Sequence, residues 1–166
     1  MIRTLGSHTG KRIVFGYDRY LADELPAYRE HLLTIGIELV EGIDHGRLHY
    51  LTSAELTCSA IQGDANAFGI LCCGTGMGMS IAANKFAGIY AARCTSIEDA
   101  QVARTINNAN VLCIAANLGF DANRRIIDAF AQTPFTGRKL DELEYITTFE
   151  GPLPESALAA SLRRTA

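Results

Sequence analysis

Short apolar runs alternate with amphipathic stretches along the chain, and a turn separates each from the next. Arg12–Tyr17 is the first apolar run and reads as a strand. Leu21–Thr34 is amphipathic and reads as a helix, with Pro26 tolerable near its start or at a bend. Gly36 ends that helix, and Ile37–Glu41 reads as a second strand. Gly42–His49 is a polar loop, and Leu51–Ile61 is a second helix with Thr52 or Ser53 as its cap. Phe68–Cys73 reads as a third strand, followed by a glycine-rich turn and a helix over Met79–Phe86. Ile89–Arg93 is a fourth strand. Thr95 or Ser96 caps the next helix, which runs to about Ile106 with Glu98 and Asp99 in its first turn, where the helix dipole favours anions. Val111–Ala115 is a fifth strand and Asp121–Ala131 a fifth helix; Leu140–Thr147 and Glu155–Arg163 are further helical stretches.

This alternation predicts an α/β fold: a three-layer α/β/α sandwich around a Rossmann-like, five-stranded parallel sheet of order 2-1-3-4-5. Right-handed crossovers restrict the topology further. The core is expected over about residues 12–147 of a single domain, with a tail or helix over 148–166. In such sheets ligands bind at the carboxyl ends of the strands, beside the switch point between strands one and three. Unusual residues stand at both places. Strand one ends in Gly16-Tyr17-Asp18-Arg19, and strand three ends in Cys72-Cys73-Gly74-Thr75-Gly76-Met77-Gly78-Met79-Ser80.

Composition narrows the function classes. The 166 residues are 48% apolar and 20% charged, which suits one globular domain. A net charge of −3 leaves no footprint for nucleic acid or an anionic membrane, so any phosphate site is local. No apolar run reaches the roughly 20 residues of a membrane span, and Met1–Lys11 lacks the apolar core of a signal peptide. The five cysteines are odd in number and form no Cys-x-x-Cys pair, which points to free thiols in the cytoplasm. His8, His31, His45 and His49 show no metal-binding spacing with the cysteines, so no metal or cofactor is expected.

Gly74, Gly76 and Gly78 alternate in a turn that opens a helix. Glycine permits positive φ and close approach to the backbone, and unpaired amides at a helix start can hold a phosphate or a developing oxyanion. The spacing matches neither the dinucleotide fingerprint nor a Walker loop, and a tight strand-to-helix connection would use the same glycines. Cys73 is the last strand residue before the turn. Helix N-termini favour thiolate, and a thiolate facing this crevice can remove a proton bound to carbon beside a carbonyl. The adjacent amides would steady the resulting enediolate oxygen. Strand alternation sends Cys72 to the other face, into packed core. Buried, inert packing is the usual role of a free cysteine and is the competing reading for Cys73.

The run from Gly69 to Lys85, with Phe86-Ala87-Gly88-Ile89, Asn107-Asn108-Ala109-Asn110-Val111-Leu112 and Gly137-Arg138, resembles the ribose-5-phosphate isomerase B family, which includes the galactose-6-phosphate isomerase subunits. The resemblance covers roughly residues 12 to 146. It implies a metal-free aldose–ketose isomerase that interconverts a small pentose or tetrose phosphate through a cis-enediol. It also implies a homodimer, sometimes paired into a tetramer, in which the partner completes each site. Cys73 matches the thiol base and Thr75 the residue linked to ring opening. Asp18 and Asn107 match substrate-binding residues, and Arg138 matches a phosphate-binding arginine. Gly74, Gly76, Met77, Gly78 and Ser80 belong to the substrate-binding turn. Members without the thiol carry a glutamate where this chain has Met79.

The chain also departs from the family pattern. Ile106 stands in place of the histidine that opens the furanose ring, and it cannot transfer a proton. Arg19 replaces another histidine, Arg47 a loop tyrosine, Glu142 one phosphate arginine and, across a one-residue gap, Asn117 another. Losing the ring-opening histidine suits an open-chain, tetrose-type substrate. Losing two bidentate cations suits a sugar that is unphosphorylated or carboxylated, unless Arg19 and Arg47 restore the charge. Both arginines read equally well as solvated surface charges. A catalytically inactive sugar-phosphate-binding subunit is the alternative from another class.

Overall fold

The computed structural model of the protein describes residues 2–33 and 37–150. Five parallel strands form its sheet: β1 (Arg12–Tyr17), β2 (Ile37–Glu41), β5 (Ala67–Cys73), β6 (Ala91–Arg93) and β7 (Val111–Ala115). β5 and β7 are buried along their whole length, as unbroken apolar runs become when helices cover both faces. Alternation along the strands divides the core in two. Phe15, Ile70, Cys72 and Ile114 pack with α1 (Leu25–Leu33), α4 (Ile97–Thr105) and α5 (Phe120–Gln132). Val14, Leu71, Cys73 and Cys113 pack on the other face with α2 (Tyr50–Ile61) and α3 (Met77–Ala83). The expected three layers result. A smaller cluster joins Ile2 and Phe135 to Leu143 of α6 (Leu140–Thr147).

The sheet runs β2-β1-β5-β7-β6, so the switch point lies between the first and third sheet strands as expected. The last two strands sit differently from the numbering 2-1-3-4-5: β7 lies beside β5, and β6 takes the edge. Burial explains this. β7 offers five buried residues to the interior, whereas β6 has three residues, none of them buried and Arg93 exposed.

Several boundaries moved for local reasons. The helix expected from Leu21 begins at Leu25, because Asp18 caps a separate 3₁₀ turn over Arg19–Leu21 and Pro26 fits only a first helical turn. The loop expected over Gly42–His49 holds a hairpin, β3 (Ile43–Asp44) and β4 (Arg47–Leu48), whose turn residues His45 and Gly46 both have positive φ. Ser53 is not a cap. It is buried inside α2, where its hydroxyl donates to Tyr17 O at 2.7 Å and accepts from Gly42 N at 3.1 Å. α3 stops before Phe86 because the Asn84 amide turns back onto Ser80 O and pairs with both backbone groups of Ala91. Ser96 does cap α4, its hydroxyl accepting from Asp99 N at 3.0 Å. The helix expected over Glu155–Arg163 lies outside the described residues. Among the described residues no helix is long and apolar enough to cross a membrane.

Candidate active site

The carboxyl ends of β1 and β5 border an open cleft of about 330 Å³. Cys73, Gly74 and Thr75 line it at the end of β5; Asp18 continues it beyond β1, and Asn117 lies beyond β7. The rings of Tyr20 and Tyr50 flank it. Cys73 is 6% exposed and its thiol is free. Cys72 faces the opposite core, where burial pushes its thiol far above the ordinary range.

Asp18 is fixed by its own backbone. Its amide donates to Cys72 O at 3.1 Å, and its carboxylate accepts from Tyr20 N at 2.9 Å. Burial raises its pKa, and the Tyr20 amide, Arg19 and His49 oppose that rise. The glycine turn needs its glycines for separate reasons. Gly76 has φ +73°, and a Cβ there would lie 3.0 Å from Ile114 O. At Gly78 a Cβ would lie 2.9 Å from the Tyr50 ring. Arg93 pins the turn from the sheet edge, its Nε donating to Thr75 O at 2.8 Å. The Gly74 carbonyl accepts from Asn117 N at 3.2 Å, which ties the end of β5 to the end of β7.

Of the residues expected at the site, Asp18, Cys73, Gly74, Thr75 and Gly78 meet in this cleft. Gly76 is buried beneath it. The others do not line it. Met77 is exposed at the start of α3, and Ser80 lies beside the buried thiol of Cys113. Arg19 lies against Tyr20, with its guanidinium carbon 5.1 Å from the ring centroid. Arg47 is exposed in the β3–β4 hairpin, opposite Asp44.

Asn107 and Arg138 stand at the other edge of the sheet. Asn107 lies in the connection entering the amino end of β7. Arg138 follows the bridge between Phe135 and Gly6, on the side where the chain enters β1. The turn carrying Asn107 is held from within: Arg104 donates to Asn108 Oδ1, Ala109 O and Gly6 O, and Asn108 donates to Ile2 O and Thr4 O.

Sequence reading missed Tyr20 and Tyr50. Tyr20 was within reach, being two residues beyond Asp18, which already stood out just past the first strand. Asn117, aligned only across a gap, does reach the cleft. Among the described residues no group of three or more His, Cys, Asp or Glu could hold a metal ion.

A profile described as Ribose/Galactose Isomerase matches residues 13–146. The chain belongs to this isomerase family. It is 38% identical over 150 residues to ribose-5-phosphate isomerase B of Escherichia coli, covering 84% of this chain and 97% of that protein. It is 44% identical over 79 residues to the D-erythrulose-4-phosphate isomerase of Pectobacterium atrosepticum, covering 47% and 52% of the two chains. The match to the DNA damage-repair/toleration protein DRT102 of Arabidopsis thaliana spans only 40% of that longer protein. Among solved structures, the type B ribose 5-phosphate isomerase of Leishmania infantum superposes with a TM-score of 0.76 at 33% identity, covering 84% of this chain and 96% of that one. The family likeness accounts for the parallel sheet flanked by helices.

Proposed function

We propose that this member of the family isomerises a short, open-chain sugar phosphate, of tetrose rather than pentose length, with Cys73 as the base. The supporting observation is the meeting of Cys73, the glycine turn and Asp18 in one cleft. The Cys73 thiolate takes the proton from the carbon beside the carbonyl, leaving a cis-enediolate. Amides of the turn hold the oxygen that gains charge. Within the cis-enediolate the hydroxyl proton passes to the neighbouring charged oxygen, and the same sulfur returns its proton to the carbon that oxygen sits on. The carbonyl thereby moves to the adjacent carbon, and the aldose–ketose exchange is complete. Asp18 accepts hydrogen bonds from the sugar hydroxyls, and the Thr75 hydroxyl borders the carbonyl. Buried Met79 leaves no carboxylate on the turn to compete for the role of base.

Two further features favour a four-carbon substrate. Ile106 cannot protonate a ring oxygen, and a tetrose esterified at its terminal hydroxyl has no stable furanose to open. The resemblance to an erythrulose-4-phosphate isomerase points the same way.

The protein works as an oligomer, with each cleft completed by a second copy. β7 has five residues, so at about 3.3 Å per residue the two sheet edges stand roughly 17 Å apart. A small sugar phosphate cannot bridge Cys73 and Asn107 within one chain. A partner presenting its amino edge to the cleft would bring Asn107 and Arg138 to the substrate. The free, buried thiols suit a cytoplasmic location.

Solvent-deuterium incorporation is the test. Exchange is expected with tetrose phosphates and weakly with ribose 5-phosphate, and Cys73→Ala should abolish it with the circular dichroism spectrum unchanged. Robust turnover of ribose 5-phosphate would refute the reading of Ile106. Exchange retained in Cys73→Ala would refute the base, and no exchange with any sugar would leave a binding subunit. Mixing Cys73→Ala with Asn107→Ala subunits should restore about a quarter of wild-type activity, because half the dimers then carry one intact site of two. No restoration would refute the shared site.

A further inference from the structure

We infer that Tyr20, with Arg19 stacked on it, sets the length of sugar the cleft accepts; this rests on the isomerase reading above. Tyr20 is 59% exposed, yet its ring is held in place. On one side its backbone amide donates to the Asp18 carboxylate at 2.9 Å. On the other side the next residue, Leu21, is fully buried and anchors the short turn. Between these anchors the ring is laid against the glycine turn. A Cβ added to Gly74 would lie 3.4 Å from Cδ2 and 3.6 Å from both Cγ and Cε2 of Tyr20. The ring therefore covers the backbone immediately after Cys73.

Arg19 fixes the outer end of the same ring. Its Nη2 lies 3.3 Å from the Tyr20 hydroxyl, and its guanidinium carbon lies 5.1 Å from the ring centroid. Tyr20 forms the rim of the cleft near Asp18, with Arg19 behind it, while Tyr50 forms the rim near Gly78. The open cleft of about 330 Å³ is at the lower end of the roughly 300–1,000 Å³ of ligand pockets. A sugar with its reacting carbons at Cys73 extends towards this rim. A four-carbon chain ends inside it, with its anion beneath the Arg19 charge. A five-carbon chain carries one more hydroxymethylene into the Tyr20 ring. Arg19 thereby acts from outside the cleft wall, and Tyr20 supplies the steric limit.

The test compares erythrulose 4-phosphate with ribulose 5-phosphate on the full chain, by coupled assay and by solvent-deuterium exchange. Tyr20→Ala is expected to shift the ratio of kcat/KM towards the pentose by about tenfold or more, the usual weight of one methylene-sized steric contact. Tyr20→Phe keeps the ring and is expected to leave that ratio within about twofold of wild type. Arg19→Gln is expected to raise KM for both sugars with kcat little changed. An unshifted ratio in Tyr20→Ala, loss of turnover on both sugars in that variant, or a shifted ratio in Tyr20→Phe would each overturn the inference. If the wild-type protein exchanges protons with neither sugar, the isomerase reading fails and takes the inference with it. If the wild type is active and only the variant ratios disagree, the inference alone fails.

Discussion

His8 makes the fold acid-sensitive in a way that one substitution should remove. Its ring is buried and stacked on Phe68, with centroids 4.7 Å apart and planes 9° apart, and it also touches Phe130. Nε2 lies 3.2 Å from Ala109 O, and Nδ1 is buried with no hydrogen-bond partner among the described residues. A proton on Nδ1 would therefore be unsatisfied, and the Arg104 charge stands nearby. Burial first and Arg104 second lower the His8 pKa from 6.5 to about 3. The unfolded chain binds the proton more readily, so stability is complete above about pH 6.5 and falls as the pH drops towards 3. Each pH unit in that window costs about 1.4 kcal/mol, hence roughly 2.7 kcal/mol at pH 4.5. That is a large share of the usual 5–15 kcal/mol of a domain. His8→Phe keeps the stacking, and Ala109 O keeps its bond from Arg104. Urea unfolding of wild type and His8→Phe, followed by circular dichroism at about pH 7.5 and 4.5, isolates the effect, since the carboxylates titrate alike in both proteins. The wild type should lose about 2–3 kcal/mol more than the variant on acidification. Equal losses in the two proteins would refute the reasoning.

The glycine turn, the cleft carboxylate and the amino edge each give a further expectation. Gly76→Ala forces a side chain into a left-handed conformation 3.0 Å from Ile114 O; it should cost roughly 1–2 kcal/mol in denaturant unfolding and lower kcat by moving the turn beneath Cys73. Asp18→Asn keeps the acceptor for Tyr20 N but removes a carboxyl whose pKa is raised by burial. Wild type therefore loses stability as the pH rises through that raised pKa, so the variant should melt higher near neutral pH and bind substrate more weakly, as thermal melts and KM would show. Arg104→Met leaves Gly6 O and Asn108 Oδ1 without their buried donor; at least about 2 kcal/mol should be lost in urea titrations.

Much of this architecture was legible because burial and periodicity agree. The runs that became β5 and β7 are apolar without interruption, and such runs have no place in a parallel α/β sheet except its middle. The order of β6 and β7 was less legible, since strand alternation does not say which later strand pairs with β5; the clue lay in composition, Val111–Ala115 being apolar throughout and Ile89–Arg93 ending in an arginine. The Arg19–Leu21 turn was hidden for another reason. Tyr20 and Leu21 fit a helical period, and only the Asp18 side chain, competing for the Tyr20 amide, breaks the helix there.

The candidate site shows a different kind of limit. Residue types reveal chemistry, so Cys73, the glycine turn and Asp18 could be grouped before their positions were known. The family resemblance, rather than residue type, adds Asn107 and Arg138 to them, although chain order already separates the two sets. Cys73 ends a strand, whereas Asn107 precedes one, and in a parallel sheet those positions lie at opposite edges. The proposed site therefore draws its two sets of residues from two molecules. The buried Arg104–Asn108 network strengthens that view. It places a guanidinium, bonded to neutral groups, in the interior to shape a turn whose exposed product is Asn107. A purely apolar arrangement would need those neutral acceptors replaced together with the guanidinium, since an apolar side chain at 104 alone leaves Gly6 O and Asn108 Oδ1 without a donor. The cost of that buried charge is explained if the turn presents Asn107 to the cleft of another copy.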